Sequence, residues 1–244
     1  MSGPFSIIIP ARYASTRLPG KPLLDIKGKP LIQHVYEIAA ATKAASITVA
    51  TDDERIADCA QSFGASVVMT SSQHESGTDR IAEAATLIGM DENEIIVNLQ
   101  GDEYGLPAAL INQVATALYN NPNKQIATLC EAINSEEDYH DPNCVKVAFD
   151  KESTAIYFSR SPIPMNRMGG LPEEVYRHIG LYAYRAAYLQ EFTRLPVCRL
   201  EQSEALEQLR ALYNGGKIHV DIAIAKTGVG IDSTDDLALA RAGN

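Results

Sequence analysis

Short apolar runs, separated by amphipathic segments, dominate the first hundred residues of the chain. The runs have the length and composition of strands buried on both faces of a sheet, and they cover residues 5–9, 47–50, 66–69 and 95–98. Helical periodicity fills the intervals at residues 31–42, 54–63 and 79–88. Because strand and helix alternate, the pattern predicts an α/β fold with right-handed crossovers and a mostly parallel sheet. Ligands bind such sheets beyond the carboxyl ends of the strands, so we expect function in the loops after Ile9, Ala50, Met69 and Asn98.

The pattern changes in the second half of the chain, where strand-like and helical segments are mixed. Strands are predicted at residues 126–129, 145–149, 155–158, 179–184 and 218–224, and helices at residues 186–193, 203–213 and 234–242. No internal repeat or low-complexity linker marks a boundary. We therefore predict a single domain over residues 1–244, with one half at about 1–120 and 215–244 and an inserted mixed α+β region at about 121–214.

Net charge argues against a nucleic-acid partner. The chain has 21 Lys and Arg residues against 31 Asp and Glu residues, which gives a net charge of −10 over 244 residues. Proteins that track DNA or RNA rely on clustered cations to neutralise phosphates. We therefore expect no DNA or RNA partner.

Cysteine spacing and hydropathy bear on the compartment. The cysteines are too far apart for a zinc or thioredoxin-like motif, and they lie at Cys59, Cys130, Cys144 and Cys198. The first apolar run is interrupted by Pro10 and Arg12, which excludes a signal-peptide core there. No later stretch approaches the roughly 18 apolar residues of a membrane span. These features predict a cytoplasmic protein with reduced thiols and no membrane association.

The loop after the first predicted strand concentrates positive charge. Residues 11–22 contain Arg12, Arg17 and Lys21 and no acidic residue. Placed at the carboxyl end of a strand, these cations and the backbone N–H groups would form a cradle for a polyphosphate. A solvated basic loop is the alternative. The loop lacks both the Walker pattern and the three-glycine dinucleotide fingerprint, which disfavours a P-loop kinase and a nicotinamide enzyme.

Two further loops carry residues suited to a nucleotide site. Asp102 follows the fourth predicted strand directly after Gly101, where a carboxylate can hold magnesium together with phosphates and water. Residues 74–80 offer small hydroxyls and a glycine that would let the backbone read a base edge. A helix-capping loop is the alternative for this second segment.

Residues 9–23 resemble the opening signature of the CMP-sugar synthetases for 3-deoxy-D-manno-octulosonate (Kdo). The resemblance continues at residues 49–52, 69–70, 74–80, 97–103, 157–160, 177–185, 206–210 and 217–220, so that it covers roughly residues 5–242. It implies a Rossmann-like nucleotidyltransferase sheet with a mixed sugar-side and dimerisation region. It also implies an Mg²⁺-dependent homodimer that transfers CMP from CTP to the anomeric hydroxyl of Kdo, releasing pyrophosphate, for lipopolysaccharide synthesis.

The resemblance also implies roles for individual residues. Nucleotide binding is assigned to Ala11, Arg12, Arg17, Lys21, Ser76, Gly77, Arg80, Gln100 and Asp102. Sugar binding is assigned to Gln100, Arg160, His178, Tyr182, Glu207 and Gln208. Asp102 and Asp232 are the implied metal ligands and, with Arg12 and Lys21, the implied catalytic residues, although Asp232 in isolation would also suit a helix cap. No general base is assigned.

Two segments depart from the family pattern. Tyr104 and Gly105 stand where the family has a proline and an apolar residue next to the metal ligand. Residues 163–167 lack the aromatic and acidic residues common in the family, and residues 168–176 form a shorter stretch than in many members. The alternatives are therefore the same chemistry on 8-amino-Kdo or on another sugar acid such as sialic acid, and a nucleotide-binding paralogue without turnover.

Overall fold

The computed structural model describes residues 3–14, 18–228, 230–231 and 233–242. Its strands are β1 (Phe5–Ala11), β2 (Asp25–Ile26), β3 (Lys29–Pro30), β4 (Ser46–Thr51), β5 (Ser66–Met69), β6 (Ile95–Asn98), β7 (Ile126–Ala132), β8 (Lys146–Phe149), β9 (Ala155–Ser159), β10 (Tyr176–Arg185) and β11 (Ile218–Ile222). Its helices are α1 (Leu31–Ala40), α2 (Glu54–Ser62), α3 (Gly77–Leu87), α4 (Ala108–Asn120), α5 (Glu136–His140), α6 (Ala186–Phe192), α7 (Arg199–Glu204), α8 (Gln208–Tyr213) and α9 (Thr234–Ala242). A 3₁₀ turn covers Lys21–Leu23.

One large sheet joins the two halves of the sequence. Its strand order is β11-β7-β10-β6-β1-β4-β5, and β8 and β9 branch from β10. The pairs β1–β4, β1–β6, β4–β5 and β7–β11 are parallel, whereas β10 is antiparallel to both β6 and β7. The predicted α/β class with a mostly parallel central sheet is therefore confirmed.

The buried strands explain the two apolar layers of the core. Every residue of β1 and β6 is buried. Alternate residues of a strand point to opposite faces, so Ile7 and Ile9 pack in the layer formed with α1, α2 and α4, whereas Ile8 packs in the layer with α3, α6 and α8. Helices on both faces thus hold β1 and β6 at the centre of the sheet, where their carboxyl ends lie side by side.

Several predicted elements differ from the observed ones. β5 is an edge strand, and the side chain of Met69 is 46% exposed, so the expectation of burial on both faces is wrong for this strand. The predicted helix over residues 203–213 is two helices, because Ala205 ends α7 in the left-handed conformation at φ +50°. Helix α4 was not predicted, although its buried residues Leu110, Val114 and Leu118 recur at helical spacing after Pro107.

The division of the chain into two functional halves stays a prediction. β11 pairs with β7 of the inserted region, whereas α9 contacts β2 near the N-terminal half. β11 and α9 therefore contact different halves of the chain. No helix within the described ranges combines the length and apolar composition that crossing a bilayer requires.

A fully buried lysine holds two loops together at the edge of the mixed region. The Lys146 side chain on β8 is 0% exposed, and its Nζ donates to the carbonyl oxygens of Asp141 at 2.8 Å, Cys144 at 2.6 Å and Arg160 at 2.8 Å. Burial lowers the pKa of the Lys146 amine. The three carbonyl groups satisfy all the donors of the ammonium group.

Replacing this amine should destabilise the fold. Lys146→Met keeps the length of the side chain but removes the fully buried amine that bonds three carbonyl groups, so the free energy of unfolding should fall by about 3 kcal/mol. Urea denaturation measures the change, with Lys151→Met as a control because that side chain is 89% exposed. Equal stability of the two variants would contradict this role of Lys146.

Candidate active site

Loops that follow parallel strands meet in a cleft at the carboxyl edge of the sheet, as the sequence predicted. The cleft has a volume of about 200 Å³. It is lined by Pro10, Ala11, Arg12, Lys21, Pro22, His74, Glu75, Ser76, Gly77, Arg80, Gln100, Gly101 and Asp102. Almost all residues assigned to nucleotide binding therefore lie around one cavity. Arg17 and Asp232 lie outside the described residues.

Lys21 and Asp102 form the central ion pair of the cleft. Lys21 Nζ lies 2.7 Å from Asp102 Oδ2. Gly20 adopts a left-handed conformation at φ +69° and begins the 3₁₀ turn that carries Lys21. The Asp102 side chain is 37% exposed, and within the described part of the chain its Oδ1 accepts no hydrogen bond. The carboxylate thus has an oxygen available for a cation.

Tyr13 orders the start of the basic loop. Its carbonyl oxygen accepts a hydrogen bond from the Gly20 N–H at 3.0 Å. The guanidinium of Arg55 lies 3.4 Å from the centroid of the Tyr13 ring and is paired with Asp53, which caps α2. This stacking fixes the loop from the side of α2. Arg12, one residue before Tyr13, is exposed and faces the cleft.

Two glycines allow backbone segments to approach closely at the floor of the cleft. A Cβ atom on Gly101 would lie 3.0 Å from the Pro10 carbonyl oxygen, and a Cβ on Gly77 would lie 3.2 Å from Gln100 Oε1. Gln100 Nε2 donates to Asn98 Oδ1 at 3.0 Å. The side chain of Gln100 is thus held against the backbone of Gly77, so that the loops after β5 and β6 form one surface.

Arg80 supports this surface from below. Its side chain is 3% exposed, with Nη1 donating to Thr70 Oγ1 at 2.6 Å and Nη2 lying 3.1 Å from Asp52 Oδ2. Ser76 caps α3 by accepting a hydrogen bond from the Asp79 N–H at 3.0 Å. The loop after β4 therefore contributes through Asp52, which holds a buried cation under the residues that line the cleft.

Glu83 is a site residue that the sequence analysis missed. Its Oε2 accepts hydrogen bonds from the Ser71 N–H at 2.8 Å and from His74 Nε2 at 2.5 Å. The Ser71 N–H, and after it His74, lowers the pKa of the Glu83 carboxyl group. Glu83 thus fixes the wall of the cleft that carries His74. An acidic residue on a helix has no sequence signature that reveals such contacts.

His178 and Tyr182 lie together on β10 in an aromatic cluster. The His178 ring centroid is 5.0 Å from that of Phe158 and 5.2 Å from that of Tyr182. His178 Nε2 lies 3.0 Å from Thr128 Oγ1, whose own hydrogen is directed to backbone carbonyl oxygens of β10. Removal from solvent lowers the pKa of His178 to about 3. The imidazole is therefore neutral at neutral pH, and its Nε2 donates to the threonine.

Glu207 connects the aromatic cluster to the nucleotide cleft. Thr78 Oγ1, on the first turn of α3, donates to Glu207 Oε2 at 2.5 Å. Glu207 Oε1 lies 3.7 Å from Arg210 Nη2. Burial raises the pKa of the Glu207 carboxyl group. Burial also raises the pKa of Tyr182, with smaller contributions from Tyr184 and then from Glu207. Thr78, which the sequence analysis did not single out, joins the two groups of predicted site residues.

Arg160 is surrounded by backbone carbonyl groups of the protein, and Gln208 is buried. The Arg160 guanidinium donates to the carbonyl oxygens of Glu204 at 2.6 Å, Pro142 at 2.9 Å and Ala205 at 3.4 Å. Gln208 is buried at the start of α8. Arg160 therefore fixes the chain just before Glu207. Its role in sugar binding stays a prediction.

Of the two predicted metal ligands, Asp102 lies within the described residues and Asp232 lies outside them. The residues that the structure describes contain no cluster of three metal-ligating side chains. Asp102 has a carboxylate oxygen available, and its carbonyl oxygen accepts a hydrogen bond at 3.0 Å from the N–H of Ile231, the residue before Asp232. Magnesium commonly takes one or two protein carboxylates and completes its shell with phosphates and water. The residues present fit this coordination.

The fold and the cleft together define an α/β nucleotidyltransferase. A family model described as cytidylyltransferase matches residues 6–219, so the chain belongs to the cytidylyltransferase family. Within this family the chain belongs with the 3-deoxy-manno-octulosonate cytidylyltransferases, as the following relatives show.

The relatives match almost the full length of the chain. The 3-deoxy-manno-octulosonate cytidylyltransferase of Hahella chejuensis is 52% identical, over 98% of this chain and 96% of the relative. The 3-deoxy-manno-octulosonate cytidylyltransferase of Cellvibrio japonicus is 51% identical, over 98% of this chain and 97% of the relative. A solved structure of CMP:2-keto-3-deoxy-manno-octonic acid synthetase complexed with CTP superposes with a TM-score of 0.91 at 44% identity, covering 98% of this chain and 97% of that one. The family resemblance of the sequence is confirmed.

The neutral state of His178 predicts a pH-dependent stability. The unfolded imidazole binds a proton below its ordinary pKa of 6.5, whereas the folded one does so only near 3. The contribution of His178 to the free energy of unfolding is therefore complete above pH 6.5 and falls by about 1.4 kcal/mol between pH 7.5 and 5.5. Urea denaturation of the native protein and of His178→Gln at both pH values measures it. A stability difference between the two proteins that does not change with pH would contradict this prediction.

Proposed function

We propose that this chain transfers CMP from CTP to the anomeric hydroxyl of Kdo and releases pyrophosphate. The oxygen of the sugar hydroxyl attacks the α-phosphorus of CTP, the bond from that phosphorus to the bridging oxygen breaks, and the hydroxyl proton is lost. The observation that carries the proposal is the Lys21–Asp102 pair of 2.7 Å, set in a cleft between the basic loop and the surface of Gly77 and Gln100. The names and near-complete coverage of the relatives support the same reaction.

The basic loop would hold the triphosphate. Arg12 and Lys21 line the cleft, and Arg17 belongs to the same loop. A charge pair at 4 Å contributes about 1 kcal/mol in water and about 4 kcal/mol at an effective dielectric constant near 20, so a sheltered site can bind an anion despite the net charge of −10. These cations would also stabilise the charge that develops on the leaving pyrophosphate.

The surface of Ser76, Gly77 and Gln100 would recognise the base. Because Gln100 Nε2 donates to Asn98, the carboxamide is oriented with Oε1 available as an acceptor. The exocyclic amino group of cytosine is a donor that matches an acceptor, whereas uracil presents an oxygen at the same position. This polarity favours CTP over UTP. Arg80 would act from beneath the surface, since its guanidinium is bonded to Thr70 and Asp52.

Asp102 would hold the magnesium ion, with Asp232 as the second proposed ligand. A bound Mg²⁺ would polarise the α-phosphate and assist loss of the hydroxyl proton. The ion pair with Lys21 keeps the Asp102 carboxylate on the side that faces the cleft. The Ile231 N–H donates to the Asp102 carbonyl oxygen, so the Asp102 backbone is bonded to the residue before Asp232. The reaction needs no protein nucleophile, because positioning of the two substrates and neutralisation of the phosphate charge suffice for in-line transfer.

The sugar acid would lie beyond the cleft, toward β10 and α8. Neutral His178 and the carboxylate of Glu207 offer hydrogen bonds for the sugar hydroxyls, with Tyr182 and Gln208 beside them. Arg160 is the candidate cation on this side for the sugar carboxylate. The homodimer, the cytoplasmic location and the place in lipopolysaccharide synthesis are proposed on the family resemblance.

Pyrophosphate release tests the proposed reaction. With Mg²⁺, CTP and Kdo should give turnover. UTP should be a poor substitute because of the acceptor at Gln100, and ATP and GTP should be poor substitutes because their purine bases are larger than a pyrimidine. 8-amino-Kdo and sialic acid should be assayed in parallel, since the resemblance leaves these sugar acids open. Turnover with UTP equal to that with CTP would contradict the base assignment, and CTP binding without turnover on any sugar acid would indicate a non-catalytic protein.

Asp102→Asn tests the metal assignment. The variant keeps the shape of the side chain but removes the charge, so kcat should fall by about 100-fold or more. The Kd for CTP in the absence of metal should change by less than about tenfold, because the cations of the basic loop remain. Asp58→Asn on the exposed side of α2 is the matched control. Asp232→Asn should behave like Asp102→Asn, and the two losses should not add. Near-normal turnover of either variant at saturating Mg²⁺ would refute the assignment.

A further inference from the structure

The turn that carries Asp102 is closed by the backbone N–H group of Tyr104. The Tyr104 N–H donates to the Asp102 carbonyl oxygen at 2.9 Å, and the Glu103 N–H donates to the Gln100 carbonyl oxygen at 3.2 Å. A proline at position 104 would have no N–H for the first of these bonds. The turn is thus defined here by hydrogen bonding rather than by a fixed φ angle.

Gly228 and Ile231 lie directly against this turn. The N–H of Ile231 donates to the same Asp102 carbonyl oxygen at 3.0 Å. A Cβ atom on Gly228 would lie 2.1 Å from the Gly105 carbonyl oxygen and 2.4 Å from its carbonyl carbon. The two backbones are therefore in contact only because residue 228 has no side chain.

The ring of Tyr104 anchors the other side of the turn on α1. The centroids of the Tyr104 and His34 rings are 5.0 Å apart with an interplanar angle of 73°, which is an edge-to-face contact. His34 Nε2 lies 2.8 Å from the Ile26 carbonyl oxygen, so the position of the imidazole is fixed. Tyr104 is half-buried against the core layer that contains α1. The turn is thus held from two directions.

We propose that Tyr104 and Gly228 are positioning residues for Asp102. Tyr104 fixes the turn against α1, and Gly228 lets the segment ending at Ile231 reach the Asp102 carbonyl group, so that the Asp102 turn and the residue before Asp232 keep one relative position. This inference rests on the proposed function, because the position matters for catalysis only if Asp102 and Asp232 act together on metal-bound CTP.

Gly228→Ala tests the backbone contact, and Gly230→Ala is its matched control. Both variants add one methyl group to the same segment, but a Cβ on Gly230 would lie 3.8 Å from the Asp102 carbonyl oxygen, an ordinary contact. In Gly228→Ala, amide hydrogen exchange of Ile231 should accelerate by at least about tenfold. The Mg²⁺ concentration for half-maximal turnover should rise by about tenfold, because small displacements of a ligand are costly. Gly230→Ala should stay within about twofold of the native protein in both measurements.

A Tyr104 series tests the ring contact without adding a steric clash. Tyr104→Phe keeps the ring and the N–H and should match the native protein, whereas Tyr104→Ala keeps only the N–H and should shift both measurements in the same direction as Gly228→Ala. The proposal would be overturned if Gly228→Ala or Tyr104→Ala kept the native amide exchange rate and the native Mg²⁺ dependence. It would also be overturned if Gly228→Ala and Gly230→Ala had equal effects. If the native protein showed no turnover, the proposed function would fail, and the exchange rates would still report on the contacts themselves.

Discussion

The adjacency of β1 and β6 is the constraint on which the cleft depends. The two strands are parallel neighbours, with Ile8 opposite Asn98, so that the residues after Asn98 run beside Pro10 and Ala11 at the end of β1. Gly101 then passes close to the Pro10 carbonyl oxygen, and Lys21 meets Asp102 across 81 residues of sequence at 2.7 Å. Both strands are buried, so a shift of either one would expose apolar side chains from two layers of the core.

The start of α3 is the second organising feature, because it belongs to both sides of the site. Ser76 and Gly77 face the cleft, whereas Thr78 bonds to Glu207 on the side proposed for the sugar. Glu83, farther along the same helix, holds His74 at the cleft wall. A single helix therefore sets the distance between the surface proposed to recognise the base and the partly buried carboxylate of Glu207, which is what a reaction between two bound substrates requires.

The sequence could predict the position of the cleft because that position follows from patterns within single segments. Uniformly apolar runs such as residues 5–9 indicate buried parallel strands, and cations such as Lys21 in the following loop indicate an anion site. Partners between distant segments have no such signature. The contacts of Glu83 with His74, of Arg160 with backbone carbonyl groups, and of Lys146 with two loops are decided by packing. β5 could not be placed at the sheet edge, because strand order is not encoded in the apolar pattern of one strand.

A crystal structure with CTP and Mn²⁺ in place of Mg²⁺ tests the central claim most directly, because anomalous scattering locates the ion independently of any activity. The account predicts an ion coordinated by the Asp102 carboxylate and the nucleotide phosphates, with Arg12 and Lys21 on the triphosphate and the cytosine against Gly77 and Gln100. CTP bound outside this cleft, or an ion bound without contact to Asp102, would contradict the account.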